Sequence, residues 1–259
     1  MRISIVTPSF NHGQFIEETI LSVVQQNHDD VEHIVMDGGS LDGTVSILKK
    51  YPHLMWVSEE DKGQAHAINK GFRQATGDII AWINSDDYYE KNVFRDIVAY
   101  FEAHPDCMLL YGDITYVDRE GRFVTRYTGD AINYDELVRC PDIVRQPSFF
   151  WRRSVMEEIG EIDERLRLVL DFDFFLRVAR KYRFHYLEEN LSYFRTYEEN
   201  KTSSFRRRQV CEIYKVFRKQ NVQLEFFHLR YFVVKLLNAF GVGDTLRAIL
   251  RSQRRGKQP

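Results

Sequence analysis

The sequence predicts an α/β fold: a mostly parallel, Rossmann-like central sheet with helices on both faces, followed by a helical C-terminal appendage. Two observations predict the sheet. Short, continuously apolar segments lie at residues 3–7, 32–37, 54–59 and 78–83, and segments of helical periodicity separate them. Such strands are typical of parallel sheets that helices cover on both faces. The third observation is a helical pattern that resumes after Phe205 and predicts the appendage.

The pattern changes near residue 112, so we divide the 259 residues into two halves of one domain, 1–111 and 112–205, and an extension, 206–259. The second half predicts a mixed α+β region, whereas the extension predicts helices with a break at residues 241–244. The elements expected in the second half are a hairpin turning at Glu120-Gly121, a strand within 146–153, a helix within 171–182 and two short strands within 183–196.

The composition indicates a globular chain with an uneven charge distribution. Apolar residues make up 44% and charged residues 29%. Residues 206–259 contain 13 Lys and Arg against 3 Asp and Glu, whereas residues 1–205 contain 23 against 35. Basic segments of this kind often meet anionic membranes or nucleic acid. No recognisable nucleic-acid module accompanies this segment, so we expect no nucleic-acid partner. Three interpretations of the extension stay open: contact with an anionic membrane surface, a helical cap, or an oligomer contact.

The cysteines and the apolar segments bear on localisation. Cys107, Cys140 and Cys211 are odd in number and far apart, which favours a reducing cytosol over a disulfide framework or a zinc site. The strand expected at residue 3 leaves no room for a signal peptide, and no apolar run is long enough for a transmembrane helix. We expect a cytoplasmic protein, and peripheral association with the inner face of the membrane is one interpretation of its basic extension.

Polar side chains follow the predicted strands of the first half where each strand ends. They include Asp37, the segment 59–62, and Asp86-Asp87. Because ligands of parallel sheets bind beyond the carboxyl ends of the strands, we expect these groups to converge on one edge. Magnesium binds one or two carboxylates together with substrate phosphates, so Asp86-Asp87 predicts a divalent-cation site. The alternative is that one of them caps a helix beginning near Asn92.

Two familiar phosphate-binding patterns are missing from the sequence. No G-x-G-x-x-G follows the first strand and no G-x-x-x-x-G-K-[ST] occurs, which disfavours hydride-transfer enzymes and P-loop NTPases. A metal at Asp86-Asp87 would then balance phosphate charge, with Lys62 as an added point charge or as a solvated lysine. Asp37 is a candidate to bind a base or ribose, whereas Asp42 is expected to form a turn or cap.

Two carboxylates lie among bulky apolar residues in "LVLDFDFFLR". Asp171 is a candidate general base, because apolar surroundings raise the pKa of a carboxyl group. It could instead cap the predicted helix, with Asp173 interacting with the helix dipole. The motif alone leaves both interpretations open.

Five stretches, in order over roughly residues 3–200, resemble family 2 glycosyltransferases of the GT-A fold. They are "VTPSFNHGQFIEETILSVVQQ", "HIVMDGGSLDGT", "SEEDKGQAHAINKGFRQATGDIIAWINSDDYY", "QPSFFWRRSV" and "LDFDFFLR". The resemblance implies inverting transfer of a sugar from a nucleotide-diphosphate donor, a UDP-sugar above all, to a hydroxyl of a glycan or lipid-linked acceptor. Residues 1–111 would bind the donor, and residues 112–205 would supply the acceptor site and the base.

The resemblance also implies residue roles and a divalent cation, Mg²⁺ or Mn²⁺. Asp87 would bind the cation, and Asp86 the cation or the donor ribose. Asp171 would be the general base. The further donor contacts would be Pro8 and Phe10 at the base, Asp37 reading the base, and Lys62 near the diphosphate.

The chain departs from the family pattern at two positions. Leu170 stands where an acid often precedes the base, and Tyr197 stands where a histidine in "Y-R-x-H" often approaches the metal or the phosphate. Tyrosine is a poor ligand for these metals, so water would complete the metal shell or the metal would bind more weakly. A catalytically weak or non-catalytic nucleotide-sugar-binding protein of the same fold, or a nucleotidyltransferase, therefore stays an alternative.

Overall fold

The structure is a computed structural model that describes residues 1–129, 132–197, 206–225, 228, 231–233 and 235. The chain forms two compact units, Met1–Tyr197 and Glu198–Pro259. The boundary between them lies eight residues before the division at residue 205 that the sequence suggests. The described part of the first unit contains a single sheet of nine strands, flanked by helices.

The first half of this unit alternates strands and helices as the sequence predicts. Its four long strands pair in the order β3-β2-β1-β4, and every neighbouring pair is parallel. Because the carboxyl ends of parallel strands meet at one edge, the loops that follow them are neighbours. The elements are β1 (Ile3–Ser9), α1 (Ile16–Val24), β2 (Val31–Asp37), α2 (Thr44–Leu48), β3 (Met55–Ser58), α3 (Gln64–Gln74) and β4 (Ile79–Trp82).

The second half extends the same sheet in a mixed manner. Strand β8 pairs antiparallel with β4 and with β6, β7 forms the predicted hairpin with β6, and β9 runs parallel to β6. The mostly parallel arrangement therefore holds for β1–β4 and gives way to mixed pairing beyond β4. The elements are β5 (Tyr88–Tyr89), α4 (Val93–Ala103), β6 (Leu109–Val117), β7 (Phe123–Tyr127), α5 (Tyr134–Arg139), 3₁₀ turns at Pro141–Ile143 and Gln146–Ser148, β8 (Phe149–Arg152), α6 (Ser154–Ile159), α7 (Leu170–Ala179) and β9 (Phe184–Arg195).

Strand β9 is continuous, so the prediction of two short strands within residues 183–196 is wrong. Its pairing with β6 shifts in the middle: Leu187 pairs with Gly112 and Asn190 pairs with Asp113. The two glutamates between Leu187 and Asn190 therefore lie in a bulge, which bends a strand without ending it. The polar interruption in the sequence marks this bulge.

Every residue of β1 and β4 is buried, and side chains of successive strand residues point to opposite sides, so both faces of the central part of the sheet are covered. On one face Ile3, Ile5 and Ile83 pack in a cluster with residues of α4 such as Phe94. On the other face lies a group of aromatic rings, with Trp82 and Trp151 centroids 5.5 Å apart. Phe72 of α3 and Phe174 and Phe175 of α7 complete this group. The rigid layer beneath the strand ends fixes the loops that carry the site.

The second unit contains α8 (Arg206–Lys219). Val210, Ile213, Val216 and Phe217 are buried at helical spacing, whereas Lys215 and Arg218 are exposed. Of the helix expected over residues 226–240, residues 228, 231–233 and 235 are helical, and the rest, like the break and the basic helix after it, lies outside the described residues. In the described ranges, no helix combines the length and the apolar character that a membrane span needs.

Candidate functional site

The loops after the parallel strands converge on one edge of the sheet, as the sequence predicts. Ser58 at the end of β3 donates a 2.6 Å hydrogen bond from Oγ to the Asp37 carboxylate at the end of β2. Nδ1 of His12, after β1, lies 2.7 Å from Oγ of Ser85, after β4. These side-chain contacts join neighbouring strand ends into one polar edge.

Asp37 is buried at this edge, and its carboxylate is held by the loop around it. It accepts hydrogen bonds from the amide nitrogen and the hydroxyl of Ser40, at 2.9 Å and 2.5 Å, besides the bond from Ser58. Phe10 lies nearby with 59% of its surface exposed. A Cβ on Gly38 would stand 2.8 Å from Oδ2 of Asp61 and 3.3 Å from the Phe10 ring, so a larger residue there would require the Asp61 side chain to shift. An exposed ring therefore stands beside an anchored carboxylate.

Three other candidates at this edge differ in their surroundings. Pro8 is buried within β1, one residue before the strand ends. Lys62 is exposed, and it precedes α3, whose Gln64 donates a 2.8 Å hydrogen bond to Asn84 beside Asp86. Asp42 accepts hydrogen bonds from the amides of Thr44 and Gly13, both at 2.9 Å. The expectation that Asp42 stabilises a turn is confirmed.

Asp86 and Asp87 lie in the loop after β4 and have different environments. Asp87 is buried, and its carboxylate accepts hydrogen bonds from the backbone amide of Arg195 at 2.9 Å and from Asn84 Nδ2 at 3.1 Å. Burial, with the charge of Asp86 added, raises the pKa of Asp87 well above its ordinary value. Asp86 is half-buried, and its Oδ2 accepts a 2.6 Å hydrogen bond from the Tyr197 hydroxyl.

Neither carboxylate caps the next helix, so that alternative is wrong. The N-cap of α4 is Asn92, in the left-handed region with φ 63°, and it makes no side-chain cap bond. Instead, Oε1 of Gln26 accepts hydrogen bonds from the amides of Val93 and Phe94, at 3.0 Å and 3.3 Å. A glutamine distant in sequence therefore satisfies the first amides of α4.

Arg195, at the end of β9, anchors the loop that carries the two carboxylates. The residue is 3% exposed; its Nε donates to the carbonyl of Asp86 at 3.0 Å and one Nη to the carbonyl of Arg119 at 2.7 Å. Another Nη pairs with Glu18 of α1, and the guanidinium lies 5.0 Å from the Phe15 ring centroid. Sequence reasoning missed Arg195, because an arginine at a strand end is ordinarily a solvated one.

Tyr197 contacts Asp86 through its hydroxyl group. Its ring centroid lies 5.3 Å from that of Phe15, and the Arg119 guanidinium lies 5.7 Å from the Tyr197 ring. Burial, with the charge of the adjacent Asp86 added, raises the pKa of the Tyr197 hydroxyl above its ordinary value. The hydroxyl therefore stays protonated and donates to Asp86.

Asp171 lies in the first turn of α7, whose N-cap is Val169. The Asp171 carboxylate accepts a 2.8 Å hydrogen bond from the amide of Phe172, and burial raises its pKa to about 6. Asp173 is fully buried and paired with Arg177 at 3.1 Å, one turn along the helix. Asp173 is thus a structural residue, whereas Asp171 has the raised proton affinity of a general base.

Tyr116 of β6 links the two acidic regions. Burial raises the pKa of the Tyr116 hydroxyl to about 12, and the charges of Asp87 and Asp171 both contribute to the rise. Tyr116 therefore lies within electrostatic range of both carboxylates.

The described ranges contain no cluster of three or more His, Cys, Asp or Glu side chains arranged to hold a metal ion. The Asp86-Asp87 pair fits a hard cation all the same, because magnesium usually binds one or two carboxylates and takes its other ligands from phosphates and water. The raised pKa of buried Asp87 shows an electrostatic cost that a cation would relieve. These residues fit a cation whose shell a diphosphate completes.

Solved structures of known glycosyltransferases share this fold. S. aureus TarS 1–349 in complex with UDP-GlcNAc superposes with a TM-score of 0.70 at 21% identity, covering 92% of this chain and 73% of that one. The mannosyltransferase PcManGT from Pyrobaculum calidifontis, in complex with GDP-Man and Mn²⁺, gives 0.65 at 19% identity and covers 100% of this chain and 76% of that one. The fold is that of GT-A glycosyltransferases.

The sequence comparison defines the family. The model of the family described as "Glycosyl transferase family 2" matches residues 4–160, and the chain belongs to that family. A PGL/p-HBAD biosynthesis glycosyltransferase of Mycobacterium tuberculosis is 29% identical over 180 residues, which are 67% of this chain and 68% of the relative. The chain spans about two thirds of the length of such relatives, 66% in one case.

Proposed function

We propose that this chain transfers a sugar from a UDP-sugar to a hydroxyl group of a glycan or lipid-linked acceptor, with inversion at the anomeric carbon. The observation that carries the proposal is the presence of two acidic groups within electrostatic range of Tyr116. Asp86-Asp87 follows the central parallel strands, and Asp171, whose pKa is about 6, stands apart at the start of α7. TarS, with bound UDP-GlcNAc, supports a nucleotide-sugar donor. The mycobacterial relative, a PGL/p-HBAD biosynthesis glycosyltransferase, supports glycosyl transfer.

The reaction is a single displacement. An acceptor oxygen forms a bond to the anomeric carbon while the bond from that carbon to the diphosphate oxygen breaks. Asp171 takes the proton of the attacking hydroxyl, a contribution of roughly 10²–10⁴ in rate. The nucleoside diphosphate leaves with its electron pair, and attack from the opposite face inverts the configuration.

The donor would be held by the edge residues. The base would lie against Phe10 and Pro8 with Asp37 as its hydrogen-bonding partner, and Lys62 would face the diphosphate. Asp86 and Asp87 would hold Mg²⁺ or Mn²⁺, and Asp86 also the ribose. When bound, the cation neutralises negative charge that grows on the departing diphosphate. PcManGT, which was solved with Mn²⁺, supports this choice of metal.

The test of the base is Asp171→Asn, because an amide keeps the shape of the side chain and cannot take a proton. We expect UDP affinity to persist and UDP release from UDP-sugars in the presence of acceptor to fall by at least about 10². Asp106→Asn is the matched control, because that side chain is 80% exposed. Transfer by Asp171→Asn at the wild-type rate would reject the assignment. In a separate assay, release of pyrophosphate from UTP and a sugar 1-phosphate would indicate a nucleotidyltransferase.

The test of the metal site is calorimetry of UDP with and without Mn²⁺. Wild type should bind UDP more tightly when Mn²⁺ is present, and Asp87→Ala should lose that gain. Asp87 also accepts the Arg195 amide, so a thermal melt of the same variant must show that it folds. A folded Asp87→Ala protein with unchanged metal-dependent affinity would contradict the proposed role.

We further propose that the basic extension, residues 206–259, associates with an anionic membrane surface. The exposed face of α8 supports this, since Lys215 and Arg218 project from the helix opposite its buried residues. The double variant Lys215→Glu/Arg218→Glu should sediment less with phosphatidylglycerol vesicles than wild type does. Arg95→Glu, on the surface of α4, is the control. Equal sedimentation of the double variant and wild type would reject the role.

A further inference from the structure

Arg145 lies beside the proposed base in a position that its backbone fixes firmly. The carbonyl of Arg145 accepts hydrogen bonds from the amide and the hydroxyl of Ser148, at 3.1 Å and 2.9 Å. The next residue, Gln146, donates a 2.6 Å hydrogen bond to the carbonyl of Trp82, the last residue of β4. The segment that carries Arg145 is thus tied to the strand that leads into Asp86-Asp87.

The Arg145 side chain lies on an aromatic surface formed by the β6–β7 hairpin. The guanidinium carbon is 4.5 Å from the ring centroid of Tyr127 and 6.0 Å from that of Tyr116. The Tyr116 ring also packs against Phe194 of β9 at 4.9 Å. Tyr127 is 41% exposed, so this surface opens to solvent on one side.

The hydrogen bonds of Arg145 leave one edge of the guanidinium unused. Nη1 donates to the carbonyls of Asp142 and Val144. The buried Nε makes no hydrogen bond in the structure. A buried N–H of a charged group without an acceptor is costly, so this position calls for a ligand that supplies one.

The charges around Arg145 tie it to the acceptor side of the site. Beside the larger effect of burial, the negative charge of Asp142 raises the pKa of Asp171 and the positive charge of Arg145 lowers it, so both groups lie within electrostatic range of the proposed base. Asp171 takes its proton from the acceptor, so a group beside Asp171 contacts acceptor and not base or ribose.

We propose that Arg145, stacked on Tyr127, binds an oxyanion of the acceptor, either a phosphodiester or a carboxylate, next to the hydroxyl that Asp171 deprotonates. The inference rests on the proposed transfer and adds the chemical class of the acceptor. A planar guanidinium matches the oxygens of both anions through paired hydrogen bonds, and a neutral sugar offers no such charge. The ring of Tyr127 holds the guanidinium in plane, which lowers the entropy lost on binding.

The test uses saturation-transfer NMR on the full chain with UDP and Mg²⁺. The probes are glycerol 3-phosphate, methyl β-D-glucuronide and neutral methyl β-D-glucoside. Wild type should bind at least one anionic probe more tightly than the glucoside, and the probe that binds distinguishes phosphate from carboxylate. Arg145→Gln should weaken that binding at least about tenfold, since hydrogen bonds between charged groups are lost.

Arg122→Gln is the matched control. It removes one arginine charge from the β6–β7 hairpin, against which Arg145 lies, at a side chain that is 75% exposed. It should bind the anionic probe as wild type does. Arg145→Lys keeps the charge and loses the planar fork, so it should bind more weakly than wild type.

Three results would overturn the inference: equal binding of neutral and anionic probes, unchanged binding by Arg145→Gln, or a loss confined to UDP affinity, which would assign Arg145 to the donor. UDP affinity is measured in every sample. A wild-type protein that does not bind UDP would refute the proposed function instead.

Discussion

Replacing Asp171 by asparagine should make the folded protein more stable at neutral pH. The pKa of Asp171 is about 6, against an ordinary value of 3.8 for an aspartate. At 1.36 kcal/mol for each pKa unit, this difference corresponds to about 3 kcal/mol. The native state holds the proton more tightly than the unfolded chain does, so wild type loses this stability as the pH rises from about 4 to about 6.

Asparagine cannot ionise, and its carbonyl can still accept the amide of Phe172. Above pH 6 the free energy of unfolding of Asp171→Asn should therefore exceed that of wild type by up to about 3 kcal/mol. Below pH 4, where wild type is protonated in both states, the gain should vanish. Urea unfolding at pH 4, 5, 6 and 7.5 measures both proteins, with Asp29→Asn as the control because that aspartate is exposed in the loop before β2. A variant no more stable than wild type at pH 7.5, or a gain independent of pH, would refute the reasoning.

Three other perturbations test the remaining contacts. Arg195→Lys cannot reach the carbonyls of Asp86 and Arg119 together, so we expect a loss of about 3 kcal/mol in urea unfolding, and a loss within error of zero would contradict the anchoring role. Gln26→Met leaves the first amides of α4 without an acceptor, which should cost about 1 kcal/mol, while UDP affinity measured by calorimetry stays unchanged. Tyr197→His places an imidazole beside Asp86, so Mn²⁺ should bind at least about tenfold more tightly in the presence of UDP. Tyr197→Phe is the control, and equal Mn²⁺ affinity of the two variants would reject the idea.

Much of the fold could be predicted because its signals are local. The apolar segments ending near Asp37 and before Asp86 are strands, and the alternation of strands and helices set their parallel order. The antiparallel entry of β8 could not be predicted, since partner choice depends on contacts far apart in sequence. The bulge in β9 likewise reads as a gap between two strands, because its unpaired glutamates break the apolar alternation.

The candidate site shows the same limit. Asp86-Asp87 and Asp171 could be found, because each pattern stands out from its local surroundings. Gln26 and Arg195 could not, since their functions depend on contacts 67 and 109 residues away in the chain. Arg145 is a similar case, because only the arrangement of the hairpin rings reveals that it stacks.

Burial affects the paired carboxylates Asp86-Asp87 and the proposed base Asp171 in different ways. Asp87 is buried beside Asp86, so a cation would relieve the repulsion between them, and the Arg195 amide holds the Asp87 carboxylate ready for it. At Asp171, burial outweighs the opposing effect of the Arg145 charge and raises the pKa to about 6, so this carboxylate keeps the proton affinity of a base. Tyr116, whose pKa is about 12, stays neutral near both carboxylates and adds no charge to either. Under the proposed function, Asp86-Asp87 would then serve the charge of the leaving group and Asp171 the proton of the acceptor.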